Sequence, residues 1–171
     1  TCRRRPTISR SICPNDPSPV EGDATKYWSR WRGPSGQGLI AANGYPDTWS
    51  ATQNVLWKVP VAGRGNSSPV VWADRIFVTT AYDGGRRVSV LAFRRSDGAQ
   101  LWETFSPEGR LPSSHYKNGY ASATPVTDGQ RVYVSFGNRG LMAVDLNGKL
   151  VWHQNLGPMD AYHGTAGSPL L

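Results

Sequence analysis

The chain has little charge, almost no cysteine and no long apolar run. Charged residues make up only 18% of its 171 positions, while glycine and proline together number 32. That mix favours many turns over long helices, and no stretch carries an amphipathic helical period. Nothing approaches the ~20 consecutive apolar residues that a membrane-spanning helix needs. The opening "TCRRRP" has the charge of a secretion signal, but no apolar core follows it. The chain does not begin with methionine, so an upstream part is expected. Cys2 and Cys13 are the only cysteines. With no histidine near them they make a poor zinc site. They pair in an oxidising compartment or stay as two thiols of a leader. Gly-x-Ser-x-Gly elbows, P-loops and His-Glu-x-x-His motifs are absent, which removes the commonest hydrolase, nucleotide and metalloprotease readings. The Gly-rich "GRGNSSP" leads into a strand instead of a helix N-terminus, so it is a poor phosphate cradle.

The net charge of +7 is unevenly placed. Residues 1–32 hold seven Lys/Arg against three Asp/Glu, a surplus of +4; the other 139 residues carry +3. The basicity belongs to a tail and forms no stripe on the folded part, so nucleic acid is not an expected partner. Residues 1–26 are rich in Pro, Ser, Arg and Asp and read as a disordered basic leader. Residues 27–53 read as a loop segment that starts the ordered part at "YWSRWRGPSGQG".

What the chain does have is repetition. "SSPVVW", "SATPVT" and "GSPLL" each set a small or hydroxyl residue before a proline and apolar residues after it. Pro69, Pro125 and Pro169 lie 56 and 44 residues apart. Trp57, Trp102 and Trp152 lie 45 and 50 apart, and in the last two a glycine (Gly98, Gly148) stands four residues earlier. A period of this size with short β-rich segments indicates a propeller or solenoid. From Asn54 onward period-2 patterning predicts strands. "VLWKVPV" is one. Then come "PVVW", "RIFVTTA", "RRVSVLAF" and "QLWETF", and in a second copy "TPVT", "RVYVSF", "GLMAVDL" and "KLVWHQN". Asp-Gly and Asn-Gly turns between them suit hairpins. The expected fold is all-β: a partial β-propeller with two four-stranded antiparallel blades (about 67–105 and 122–155) and the first strand of a third from 167. Two blades and one strand cannot close a ring, so residues 54–171 read as an incomplete propeller whose C-terminal blades are missing. The tryptophans are expected on outermost strands, filling the gap between stacked sheets.

At these residues the chain resembles the PQQ-like (pyrroloquinoline-quinone-like) β-propeller repeat family, whose blade motif runs approximately Ala-x-Asp-x-x-x-Gly-Lys-x-x-Trp. "AVDLNGKLVW" supplies Ala143, Asp145, Gly148, Lys149 and Trp152 with one residue deleted. "AFRRSDGAQLW" keeps Ala92, Gly98 and Trp102 but has Arg94 for the Asp and Ala99 for the Lys. "WSRWRGPSGQG", "HYKNGYASATPV" and "LGPMDAYHGTAGSP" are similar to stretches of bacterial, exported members. The resemblance covers about residues 28–171. It implies a periplasmic or otherwise exported N-terminal part of a seven- or eight-bladed ring, and it is specific for fold more than for activity.

In a propeller the connections from one blade's outer strand to the next inner strand emerge on the same face as the hairpins between the two middle strands. Here those connections are long, and long loops on a rigid scaffold commonly carry function. They place His115, Tyr116, Lys117, Asn118 and Tyr120 on the same face as Asp160, Tyr162 and His163. Two histidines and a carboxylate could hold a metal, move protons, or simply tie the loops down by hydrogen bonds. No HxH or HxxxH spacing is present, so no metal and no catalytic residue is expected. His153 reads as a surface residue. The resemblance leaves two functional readings. One is a non-catalytic scaffold or binding module for a protein partner or small ligand. The other is part of a quinoprotein oxidoreductase using pyrroloquinoline quinone with calcium. Those enzymes pair the quinone with an adjacent-cysteine disulfide, and this chain has no Cys-Cys, so no cofactor is expected in it.

Overall fold

The computed structural model describes residues 25–40, 43–111, 114–115, 118–159 and 161–171. Eight strands follow one another: β1 (Val70–Trp72), β2 (Arg75–Tyr82), β3 (Arg87–Arg94), β4 (Gln100–Phe105), β5 (Val126–Thr127), β6 (Arg131–Ser135), β7 (Leu141–Asp145) and β8 (Leu150–Gln154). They form two four-stranded sheets in sequential order, β1-β2-β3-β4 and β5-β6-β7-β8, with every pair antiparallel. The two repeats are therefore two propeller blades. Both sheets slip register at the same point of the repeat, at Ala92/Phe93 and Ala143/Val144, immediately after the pairs Ala92–Trp102 and Ala143–Trp152.

Alternation along the strands decides what the blades bury. Residues Phe77, Ala81, Val88, Val90 and Ala92 of the first blade share a buried cluster with Val132, Val134, Met142 and Val144 of the second. Removing such side chains from water is the main force holding the sheets face to face. Trp102 joins this interface, with its ring 5.9 Å from that of Phe77.

The residue before each proline links one blade to the next. The Ser68 amide donates to Thr124 Oγ1 (3.1 Å), and the Thr124 amide donates to Ser168 Oγ (2.9 Å). These positions are the repeat equivalents just before Pro69, Pro125 and Pro169, which explains why a hydroxyl recurs there. Residues 167–171 carry no strand pairing, yet Ser168 is held by this bond. Because the Ser68 amide is partly buried, Thr124→Val should leave it without an acceptor and cost about 1–3 kcal/mol. Urea denaturation beside Thr124→Ser, which keeps the hydroxyl, checks this; equal midpoints would show that water replaces the bond.

The loop segment clamps both blades at once. The Trp28 carbonyl accepts from the Val71 amide (2.8 Å) and the Ser29 carbonyl from the Thr127 amide (3.0 Å), and Val71 and Thr127 are again equivalents. Ser29 and Arg30 are buried, while Trp31 stays 46% exposed under the Arg32 guanidinium.

One expected strand differs. "VLWKVPV" forms no strand and joins neither sheet. It lies against the side of the first blade that faces away from the second: Trp57 packs on Gly98, and the Thr80 hydroxyl donates to the Ala62 carbonyl. Its period-2 pattern reports the outer-strand position of a neighbouring blade, since Trp57 meets Gly98 as Trp102 meets Gly148, but among the described residues no further strands lie beside it to pair with.

Candidate functional site

The recurring tryptophan and glycine prove to be one device shared between neighbours. Trp102 of β4 lies flat on Gly148 of the second blade, where an added Cβ would come within 2.6 Å of the indole. Its Nε1 donates to the Leu146 carbonyl (3.0 Å), and the Thr104 hydroxyl donates to the Gly148 carbonyl. Trp57 repeats the arrangement on the first blade, 2.6 Å from the same point at Gly98, with Nε1 donating to the Arg95 carbonyl (2.8 Å). Gly98 and Gly148 both have φ near the left-handed region (75° and 87°), so glycine is needed there for the turn and for the indole. Trp152 is half-buried on β8, 6.1 Å from the Tyr133 ring.

The turn before the outer strand is held by a carboxylate in each blade. Asp145 Oδ1 accepts the amides of Asn147 (2.8 Å) and Lys149 (3.0 Å). Arg94 occupies the equivalent place in the first blade, and Asp97 takes over the work: it accepts the Ala99 amide (3.0 Å) and the Arg94 guanidinium (2.7 Å). The Ala99 amide, followed by Arg94, holds the Asp97 carboxyl below its ordinary range. Lys149 enters the turn through its backbone, whose carbonyl accepts the Asp145 amide.

On the long-loop face the structure brings His115 and His163 together. Their ring centroids are 5.2 Å apart at 72°, and Tyr162, which is 85% exposed, lies edge-on to His163 at 4.8 Å. Asn118 sits between the two loops. Its amide N–H donates to the His115 carbonyl (2.8 Å), and its Nδ2 donates to the His163 carbonyl (2.8 Å). Its Oδ1 accepts from Ser122 Oγ (2.6 Å) and the Gly119 amide (2.8 Å). Tyr116, Lys117 and Asp160, the other expected members, lie outside the described residues. Tyr120 packs on Gly85 of the first blade and lines a small cleft with Ser114 and Gly164. Among the described residues, no three His, Cys, Asp or Glu side chains gather closely enough to hold a metal ion.

Two groups on or near this face had no signal in the sequence. Arg139, in the turn between β6 and β7, is 5% exposed and reaches across to the first blade, donating from Nη2 to the Gly85 and Arg86 carbonyls. Burial pulls its guanidinium below its ordinary value, against the pull of the Glu108 carboxylate. It borders a cleft of about 460 Å³ that Arg86, Arg87, Phe105, Glu108 and Leu111 also line. Glu103 on β4 accepts the hydroxyls of Tyr82 (2.7 Å) and Ser89 (2.6 Å). Burial, with the neighbouring carboxylate adding to it, raises the Tyr82 hydroxyl's pKa above its ordinary value. His153, expected at the surface, instead sits half-buried with Nε2 against the Arg139 carbonyl (2.5 Å). The reason is that β8 turns it toward the first blade, opposite Met142.

Stacked four-stranded blades, joined by hydroxyls before the inner strands and by indoles on turn glycines, define a β-propeller repeat protein. Residues 24–167 match the family model of PQQ-type repeats described as "Outer membrane protein assembly factor BamB", and the chain belongs to that family. No curated protein matches the chain. No helix among the described residues is long and apolar enough to cross a membrane.

Proposed function

We propose that the chain is a non-catalytic scaffold or binding module, exported to the periplasm, that presents its long-loop face to a protein partner or small ligand. The observation that supports this reading most is how the face is built. Asn118 holds both histidine loops by their backbones, and Arg139 ties the second blade's turn to the first. The polar groups serve to fix loop shape, which is what a recognition surface requires. The description of the matched family, an outer-membrane assembly factor, fits a surface that meets other proteins. The oxidoreductase alternative makes a different demand: a site for pyrroloquinoline quinone and calcium. Calorimetric titration of the chain with the quinone, with and without calcium, should give no heat of binding. Tight stoichiometric binding would overturn the scaffold reading and restore the enzyme.

A further inference from the structure

We propose that the cleft beside Arg139 anchors a peptide segment of a protein partner, one that sets a carboxylate next to an apolar side chain. The inference rests on the binding-module reading and names the chemistry of its partner.

Three pieces of the long-loop face meet at this cleft of about 460 Å³. The turn between β2 and β3 brings Arg86, the turn between β6 and β7 brings Arg139, and the connection leaving β4 brings Glu108 and Leu111. Neither blade makes the cleft alone. Gly109 of that connection lies over the Arg139 stem, where an added Cβ would be 3.3 Å from its Cα and Cγ.

Arg139 arrives there with a charge that nothing nearby balances. The Gly85 and Arg86 carbonyls engage its Nη2 but bring no net charge. Its Nε is buried and has no acceptor among the described residues. A buried donor left unpaired is costly, so an oxygen supplied by a ligand is favoured. The small cleft of about 10 Å³ that Arg139 also lines has room for one water at most, and water leaves the charge unbalanced. Around the larger cleft the guanidiniums of Arg86, Arg87 and Arg139 face one carboxylate, that of Glu108. Arg87 is engaged by Asp83 at 2.9 Å. Arg86 and Arg139 form no ion pair among the described residues. A carboxylate is a group that charge-assisted hydrogen bonds from both would hold.

The same cleft has an apolar wall. Phe105 and Leu111 are large, exposed and line it together. The Tyr82 ring at 5.8 Å and the Arg87 guanidinium at 5.2 Å hold the Phe105 ring in place before a partner arrives, which lowers the ordering cost of binding. Aromatic and arginine anchors side by side are typical of the residues that dominate protein interfaces. A bare anion would leave this wall in water, whereas a peptide with a neighbouring apolar side chain covers it.

The test is fluorescence anisotropy of a rhodamine-labelled, C-terminally amidated peptide, Gly-Glu-Leu-Asp-Phe-Gly, titrated with the full chain. Salt is held at about 0.15 M, where exposed charges more than about 8 Å apart are screened. The peptide should bind saturably, and its Gln/Asn counterpart should not. Arg86→Glu should weaken binding by about tenfold or more. Its carbonyl, not its side chain, receives Arg139, so folding is retained. Arg131→Glu makes the same charge change at the opposite end of β6 and should leave binding unchanged. Glu108→Gln removes the one opposing carboxylate and should tighten binding by roughly two- to fivefold. Arg139→Lys keeps the charge but loses the fork, and should weaken binding; if that variant fails to fold, Arg86→Glu and Glu108→Gln still decide. Binding that survives Arg86→Glu, that falls equally with Arg131→Glu, or that the Gln/Asn peptide shares overturns the proposal, and so does a chain that binds neither peptide. Quinone binding would overturn the binding-module reading by itself. Loss of peptide binding without quinone binding removes only this cleft, so the two failures are separable.

Discussion

Gly148→Val should unfold the chain, or bring it close to unfolding, at room temperature. Gly148 has φ +87°, a backbone conformation that L side chains rarely adopt, and an added Cβ there would stand 2.6 Å from the Trp102 indole. Backbone strain alone costs about 1–3 kcal/mol. The larger cost is that Trp102 cannot stay. Its ring lies beside Phe77, its Nε1 gives up the Leu146 carbonyl, and the interface it closes opens. Losing a large aromatic from a packed interface costs about 3–5 kcal/mol. The two costs overlap, so a total of about 4 kcal/mol is expected, against the 5–15 kcal/mol that typically holds a domain folded. Gly98→Val should be milder. The indole it displaces, Trp57, lies on an unpaired segment that can move. Urea midpoints and near-ultraviolet circular dichroism read both. A Gly148→Val chain with the parent's midpoint and spectrum would show that the indole does not hold the blades together.

The repeat was legible because each blade keeps the same few demands at the same places. Tryptophan four residues after glycine, a hydroxyl before proline, and Asp-Gly or Asn-Gly turns sufficed for eight strands and their order. What those residues touch was not legible. Gly98 and Gly148 look like turn glycines, and they are, but each also receives an indole from the neighbouring segment; a contact between blades leaves no local pattern. The Asp97 carboxylate replaces the motif's missing Asp from three residues along, which a fixed motif cannot show. Arg139 and Glu103 carry no motif either, since their partners are carbonyls and hydroxyls brought near by stacking. The meeting of His115 and His163 followed from topology alone, because equivalent connections must emerge on one face. Their separation did not follow, because it depends on how Asn118 folds the loops.

The chain should self-associate in solution, through edges that the two blades leave open. At one end, residues 55–61 carry no strand pairing, with Leu56 93% exposed and Val55 and Val61 also exposed. At the other, Leu150, Val151, Leu156, Leu170 and Leu171 are exposed on and after β8. An unpaired apolar strand offers its amides and carbonyls to any edge that reaches it, and exposed apolar clusters supply the drive. The two surfaces differ, so contact between copies is head-to-tail and need not close. Light scattering should therefore show mass rising with concentration, with no fixed oligomer. Leu56→Lys with Val61→Lys places charge on the strand edge, the common natural defence against such pairing. That variant should associate far less. Both side chains point into water or along its border, so folding should be retained. A longer chain with further blades of the same repeat stacked on it should stay monomeric, because those blades would cover the same residues. A monomeric 171-residue chain that melts in one cooperative step, or a lysine variant that associates as strongly as the parent, would refute the edge as the cause.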